Sequence, residues 1–187
     1  TYLQSKPVYI VGSTFGGGSG QGNSGSNGGA LASIGTSWTI INSTLRGNNA
    51  TGSGGNPGNG GNGGAIVNDG NTYTLSLCGT TVDGNSANAL GGGIFFVSNN
   101  GTGTTRINNS LMQRNSAKQG GGLYIQGTRA AISNTSIVGN SATSGPGINE
   151  YPNAGVGTLD LTNVTLSGHM PGPALDIADA ITGTLTN

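Results

Sequence analysis

Charge is almost missing from this sequence: six Lys and Arg and six Asp and Glu make up 6% of 187 residues and cancel to a formal net charge of zero. Without a basic excess there is no electrostatic footprint for nucleic acid, and no nucleic-acid partner is expected. Cysteine is reduced to Cys78, which excludes a disulfide framework and a thiolate metal cluster. This residue reads as a small, half-buried hydrophobe. Trp38 is the sole tryptophan, where a groove built for sugar stacking would carry several aromatics. No stretch approaches the ~18 consecutive apolar residues of a membrane span. Asp is too rare for the repeated GGxGxD units of calcium-binding solenoids, and no metal or cofactor is predicted. The sequence opens at Thr1 without an initiator Met or a signal peptide, as a secreted chain after signal removal or an excised fragment would.

What fills the chain instead is Gly, at 39 positions, with 6 Pro and a hydrophobic share of only 32%. Solubility must come from Asn, Ser, Thr and Gly rather than from ions, and a net charge near zero favours association. Gly and Pro break the chain every ten residues or so, which leaves no room for a helix. The apolar runs between them are short and alternate with period two, as in Leu159-Asp160-Leu161.

Three phrases recur in phase. The first is an aliphatic followed three residues later by Asn: Leu45 to Asn48, Val82 to Asn85, Met112 to Asn115, Ile137 to Asn140, decaying to Leu166 and His169. Its aliphatic positions are 37, 30, 25 and 29 residues apart. The second is a run of small residues before an aliphatic, as in Gly63-Gly64-Ala65-Ile66, Gly92-Gly93-Ile94, Gly121-Gly122-Leu123, Pro146-Gly147-Ile148 and Pro173-Ala174-Leu175. Gly28-Gly29-Ala30-Leu31 is the matching piece of an earlier coil whose first phrase has degenerated around Phe15. The third comprises Asn42-Ser43-Thr44, Gly79-Thr80-Thr81, Asn109-Ser110-Leu111, Asn134-Thr135-Ser136 and Asn163-Val164-Thr165. Short strands at a coil period near 30 residues describe a solenoid whose coils stack ~4.8 Å apart.

The expected fold is therefore all-β, a right-handed parallel β-helix forming one domain over 1–187. Its six coils run roughly over 3–33, 34–69, 70–98, 99–127, 128–154 and 155–187. Inward positions are Ile40, Leu77, Ile107, Ile132 and Leu161 on one wall. Leu45, Val82, Met112, Ile137 and Leu166 face inward on the next, and Ile66, Ile94, Leu123, Ile148 and Leu175 on the third. Equivalent Asn side chains in successive coils can bond to one another as a structural ladder. Asn48, Asn85, Asn115 and Asn140 are assigned to it, with His169 at its end. Segments 16–28 and 51–64 read as Gly/Asn/Ser-rich loops projecting from one corner, where a rigid frame usually carries function.

These phrases resemble the repeats of the polymorphic outer membrane proteins, marked by GGA followed by Ile, Leu or Val and by FxxN. Gly28 to Leu31 and Gly63 to Ile66 match the first motif fully. Leu45 to Asn48, Val82 to Asn85, Met112 to Asn115 and Ile137 to Asn140 match the second with an aliphatic in place of Phe. The resemblance covers roughly residues 8 to 177 and implies a right-handed β-helix displayed outside the cell, often for adhesion. The sequence departs from that family in having no C-terminal membrane barrel after the repeats, so, unless it is truncated, self-transport through an outer membrane is not expected.

Three other chemistries fit the residues less well. Polysaccharide-cleaving β-helices need carboxylates converging on one wall. The acids here, Asp69, Asp83, Glu150, Asp160, Asp176 and Asp179, differ in phase. Only Glu150 and Asp176, with His169, sketch an acid/base set, and it reads as surface scatter, so no catalytic residue is assigned. Ice binding would use an outward hydroxyl rank, here Thr14, Thr44, Thr81, Leu111, Ser136 and Thr165, one residue wide and interrupted. Sequons at Asn42, Asn49, Asn100, Asn108, Asn134 and Asn163 are no more numerous than this composition gives by chance. The expectation is an extracellular or cell-surface structural solenoid. It self-associates end to end into a filament or layer, or serves as an adhesion module with a cell-surface or glycan partner.

Overall fold

The computed structural model describes residues 7–54, 59–178 and 181–186. Asp179, Ala180 and the 55–58 part of the second loop lie outside them. The chain is a parallel β-solenoid of six coils, followed by one strand of a seventh. The first wall stacks β1 (Val8–Val11), β5 (Trp38–Ile41), β9 (Thr74–Cys78), β13 (Gly103–Asn108), the first part of β16 (Thr128–Val138), the first part of β18 (Thr158–Ser167) and β20 (Thr182–Thr186). The second wall stacks β2 (Thr14–Gly16), β6 (Thr44–Arg46), β10 (Thr81–Asp83), β14 (Leu111–Gln113) and the second parts of β16 and β18. The third holds β4 (Leu31–Ile34), β8 (Ile66–Gly70), β12 (Ile94–Ser98), β15 (Leu123–Gln126), β17 (Ile148–Tyr151) and β19 (Leu175–Ile177). Between walls two and three, β3 (Ser24–Gly25), β7 (Asn49–Ala50) and β11 (Ser86–Ala87) form a short ribbon.

The register aligns the repeat phrases column by column. Phe15, Leu45, Val82, Met112, Ile137 and Leu166 stack on the second wall. Ile40, Leu77, Ile107, Ile132 and Leu161 stack on the first, and Leu31, Ile66, Ile94, Leu123, Ile148 and Leu175 on the third. These columns meet in one apolar core. A coil contributes only a few of these side chains, so burial is shared between stacked neighbours.

The corners follow from backbone chemistry. Walls one and two meet at Gly12, Asn42, Gly79, Asn109, Asn134 and Asn163, all at positive φ. Gly and Asn are the residues that visit this left-handed region most readily. At the other corner, Gly63 has φ +64°, while a Cβ on Gly64 would lie 2.0 Å from the Gly92 carbonyl oxygen. The first glycine supplies a turn and the second a close approach between coils.

The third wall departs from simple inward/outward alternation. Every residue of β12, Ile94 to Ser98, is buried. Its outward column includes Val67, Phe95 and Tyr124, and Phe95 stacks on Tyr124 with ring centroids 5.4 Å apart. The glycine corner folds over this face: a Cβ on Gly120 would lie 2.7 Å from Tyr124 Cβ. Nor do the two Gly-rich segments simply project. Ser24 and Gly25 pair with Asn49 and Ala50, and Gly60 to Gly64 are buried, with Gly61 N–H donating to the Ser26 carbonyl. Among the described residues, only the stretches around Gly17–Gly22 and Thr51–Gly54 stand out from the coils.

Candidate functional site

The corner after the second wall is the most highly organised polar feature of the molecule. A left-handed residue, Gly47, Gly84, Arg114 or Gly139, turns the chain so that the next side chain enters the interior. Asn48, Asn85, Asn115 and Asn140 are all buried there. Asn48 Nδ2 and its backbone N–H both donate to Asn85 Oδ1 at 2.9 Å. Asn85 binds Asn115 Oδ1 in the same way, and Asn115 binds Asn140 Oδ1. The second Nδ2 hydrogen of each reaches back one coil, to the carbonyls of Phe15, Leu45, Val82 and Met112. Asn48, Asn85 and Asn115 thus use both donors and both acceptor positions of the amide.

The two ends of this stack differ. In the first coil Asn23 donates from N and Nδ2 to Asn48 Oδ1, so the amide series begins one coil earlier than the sequence phrase indicates. At the far end, Asn140 N–H donates to His169 Nδ1 at 3.2 Å. Accepting there leaves the ring's hydrogen on Nε2, which is buried without a partner among the described residues. Imidazole offers no second acceptor on that side, and the series stops.

A second internal column runs through the middle residues of the third phrase. Ser13 N–H donates to Ser43 Oγ, Thr80 N–H to Ser110 Oγ and Ser110 N–H to Thr135 Oγ1. The hydroxyls of Ser43, Ser110 and Thr135 in turn cap the carbonyls two residues earlier.

The acid/base set is not assembled. Glu150 pairs in register with Ile177 and points inward, fully buried, with neither carboxyl oxygen partnered among the described residues. Burial pushes its pKa up to about 8. Reading it as surface scatter was wrong. Asp176, one residue out of phase, pairs with Asn149 on the opposite face of the sheet, where Ser144 and Asn149 donate to it. His169 belongs to the amide corner, on another wall. The hydroxyl rank Thr14, Thr44, Thr81, Leu111, Ser136 and Thr165 lies in one register column, with side chains ranging from half-buried to exposed.

Outside the amide corner, Asp83 of β10 faces Arg46 of β6, and Arg114 reaches back from the following coil. Asp83 Oδ1 accepts from Arg114 Nε at 3.0 Å and Oδ2 from Arg114 Nη2 at 2.7 Å, with Arg46 Nε 3.3 Å from Oδ2. The carboxylate, hydrogen-bonded and close to the guanidinium, holds the Arg114 pKa above its usual value. In comparisons with known proteins, no family model, no curated protein and no solved structure matches the chain.

Proposed function

We propose that the chain is a structural β-solenoid of the cell exterior that associates end to end. The observation that carries this reading is the distribution of apolar surface. Among the described residues, the exposed large hydrophobics are Val8, Tyr9, Val11 and Ile34 in the first coil, and Met170, Ile177 and Leu185 at the other end. The walls between present Thr, Ser and Asn with few charges, so little like-charge repulsion opposes approach of copies. Among the described residues, β1 and β20 each pair with one neighbour, and a strand edge of this kind can take a further parallel strand. The extracellular setting and an adhesive role on a cell-surface or glycan partner rest on the resemblance of the repeat phrases.

Sedimentation velocity and negative-stain microscopy across a concentration series test the reading. Rods of constant width whose length grows with concentration are expected, and Tyr9→Lys with Leu185→Lys should shorten them to single units. Monomers at every concentration and salt would leave a solitary display module instead.

A further inference from the structure

Beside the amide corner lies a recess of about 270 Å³, floored by Arg46, Asp83 and Arg114 and rimmed by the Gly17–Gly20 turn. Four observations make it more than a surface ion pair. Arg114 has φ +54°, at the position that Gly47, Gly84, Gly139 and Gly168 occupy in the other coils. A bulky residue is held there only where its surroundings over-determine it, and such strain clusters at binding sites. Two guanidinium groups share one carboxylate, which leaves one net positive charge in a chain with few charges of any kind.

The geometry also directs that charge outward. Asp83 grips Arg114 through Nε and Nη2 and Arg46 through Nε, which leaves Nη1 of Arg114 and both Nη groups of Arg46 outside these contacts. Both arginine side chains are more than half exposed, 52% and 59%, while that of Asp83 is 6% exposed. Finally, the rim is nearly all Gly. The Gly18 carbonyl accepts from Gln21 N–H, with Gly20 at φ +78°, a tight turn that brings bare backbone over the arginines.

We propose that this recess binds a single oxyanion group, a sulfate ester or a carboxylate. The planar fork of arginine matches the paired oxygens of either group. Asp83 fixes the forks before the ligand arrives, and a rim of Gly17, Gly18 and Gly20 with only the small side chain of Ser19 lets the anion approach. A recess of this size takes a headgroup rather than a long ligand. The anion is carried by an acidic polysaccharide or is a small free ion, and both present the same chemistry to the arginines.

Calorimetric titration of the intact chain at low ionic strength, with sodium sulfate, oligogalacturonate, dextran sulfate and neutral dextran, tests this. Wild type should bind the anions saturably, one per chain for sulfate, and ignore neutral dextran. Arg46→Gln and Arg114→Gly should each weaken binding at least about tenfold, from the loss of one charge-assisted contact. Gly is at home at φ +54°, so Arg114→Gly should fold normally, which thermal unfolding checks. Polymers binding more tightly than sulfate would identify a polysaccharide as the source, and equal affinity a free ion. No saturable anion binding, or binding unchanged in both arginine variants, would overturn the proposal.

Discussion

At the corner beyond the second wall, five amides in adjacent coils, Asn23, Asn48, Asn85, Asn115 and Asn140, bond to one another in series. On the third wall the inward column reads Ser33, Asn68, Phe96, Ile125, Glu150 and Ile177. Near its start, Ser33 donates to Asn68, and Trp38 donates to Ser33. Near its end, Glu150 stands between Ile125 and Ile177 with no coil above or below to answer it. Burial is equal in the two places; repetition is not. A buried polar group is tolerated at little cost when the next coil carries its complement, because in a parallel stack the partner arrives at the same height every time. A polar group that occurs once must otherwise shed its charge.

Breaking the repeated column should have the largest effect. Asn115→Leu leaves the buried Asn85 N–H without an acceptor and removes a donor from Asn140. Unfolding free energy should fall by about 4 kcal/mol, from roughly 1–3 kcal/mol per orphaned group with overpacking added. Urea unfolding monitored by Trp38 fluorescence measures it. A loss under about 1 kcal/mol would mean that water replaces the amide at no real expense.

Repairing the solitary carboxyl comes next, and the size of its effect depends on pH. The Glu150 pKa is raised to about 8 in the fold, against about 4.3 for an unperturbed Glu in the unfolded chain. Between those values the folded state holds the extra proton, so stability falls as pH rises, by roughly 1.4 kcal/mol per unit, and levels off above the higher value. Glu150→Leu should flatten that slope, so that its stability relative to wild type grows by about 2 kcal/mol between pH 6 and pH 8. Parallel pH curves for the two proteins would show that the carboxyl finds solvent.

The hydroxyl column lies between these extremes and should respond least. Ser110→Ala leaves Thr80 N–H short of an acceptor, while the Asn108 carbonyl loses one donor. A loss of about 1 kcal/mol is expected. A cost equal to that of the Asn115 change would mean the two columns are energetically alike.

Much of this was legible in the chain, because a fixed three-residue spacing from aliphatic to Asn marks equivalent positions. Where the spacing changes, the reading stops. Phe15 and Asn23 are eight residues apart, so Asn23 did not look like a member of the column, although the fold places it there. The hydroxyl column lies in the third phrase, whose alignment was legible; its inward bonding was not, because Ser and Thr sit as readily on an exposed strand face as on a buried one. The contact of Arg114 with Asp83 depends on a left-handed residue, and nothing in the string Met112-Gln113-Arg114-Asn115 announces one.

Composition and periodicity alone determined that this chain forms a stacked β-solenoid. Short apolar runs punctuated by Gly and Asn have no other way to bury what little hydrophobic surface they own. Which face each acid takes was decided only by the tertiary register. Adjacent residues of a strand point to opposite sides. One position of phase therefore sends Glu150 into the core and Asp176 to the outer face of the wall.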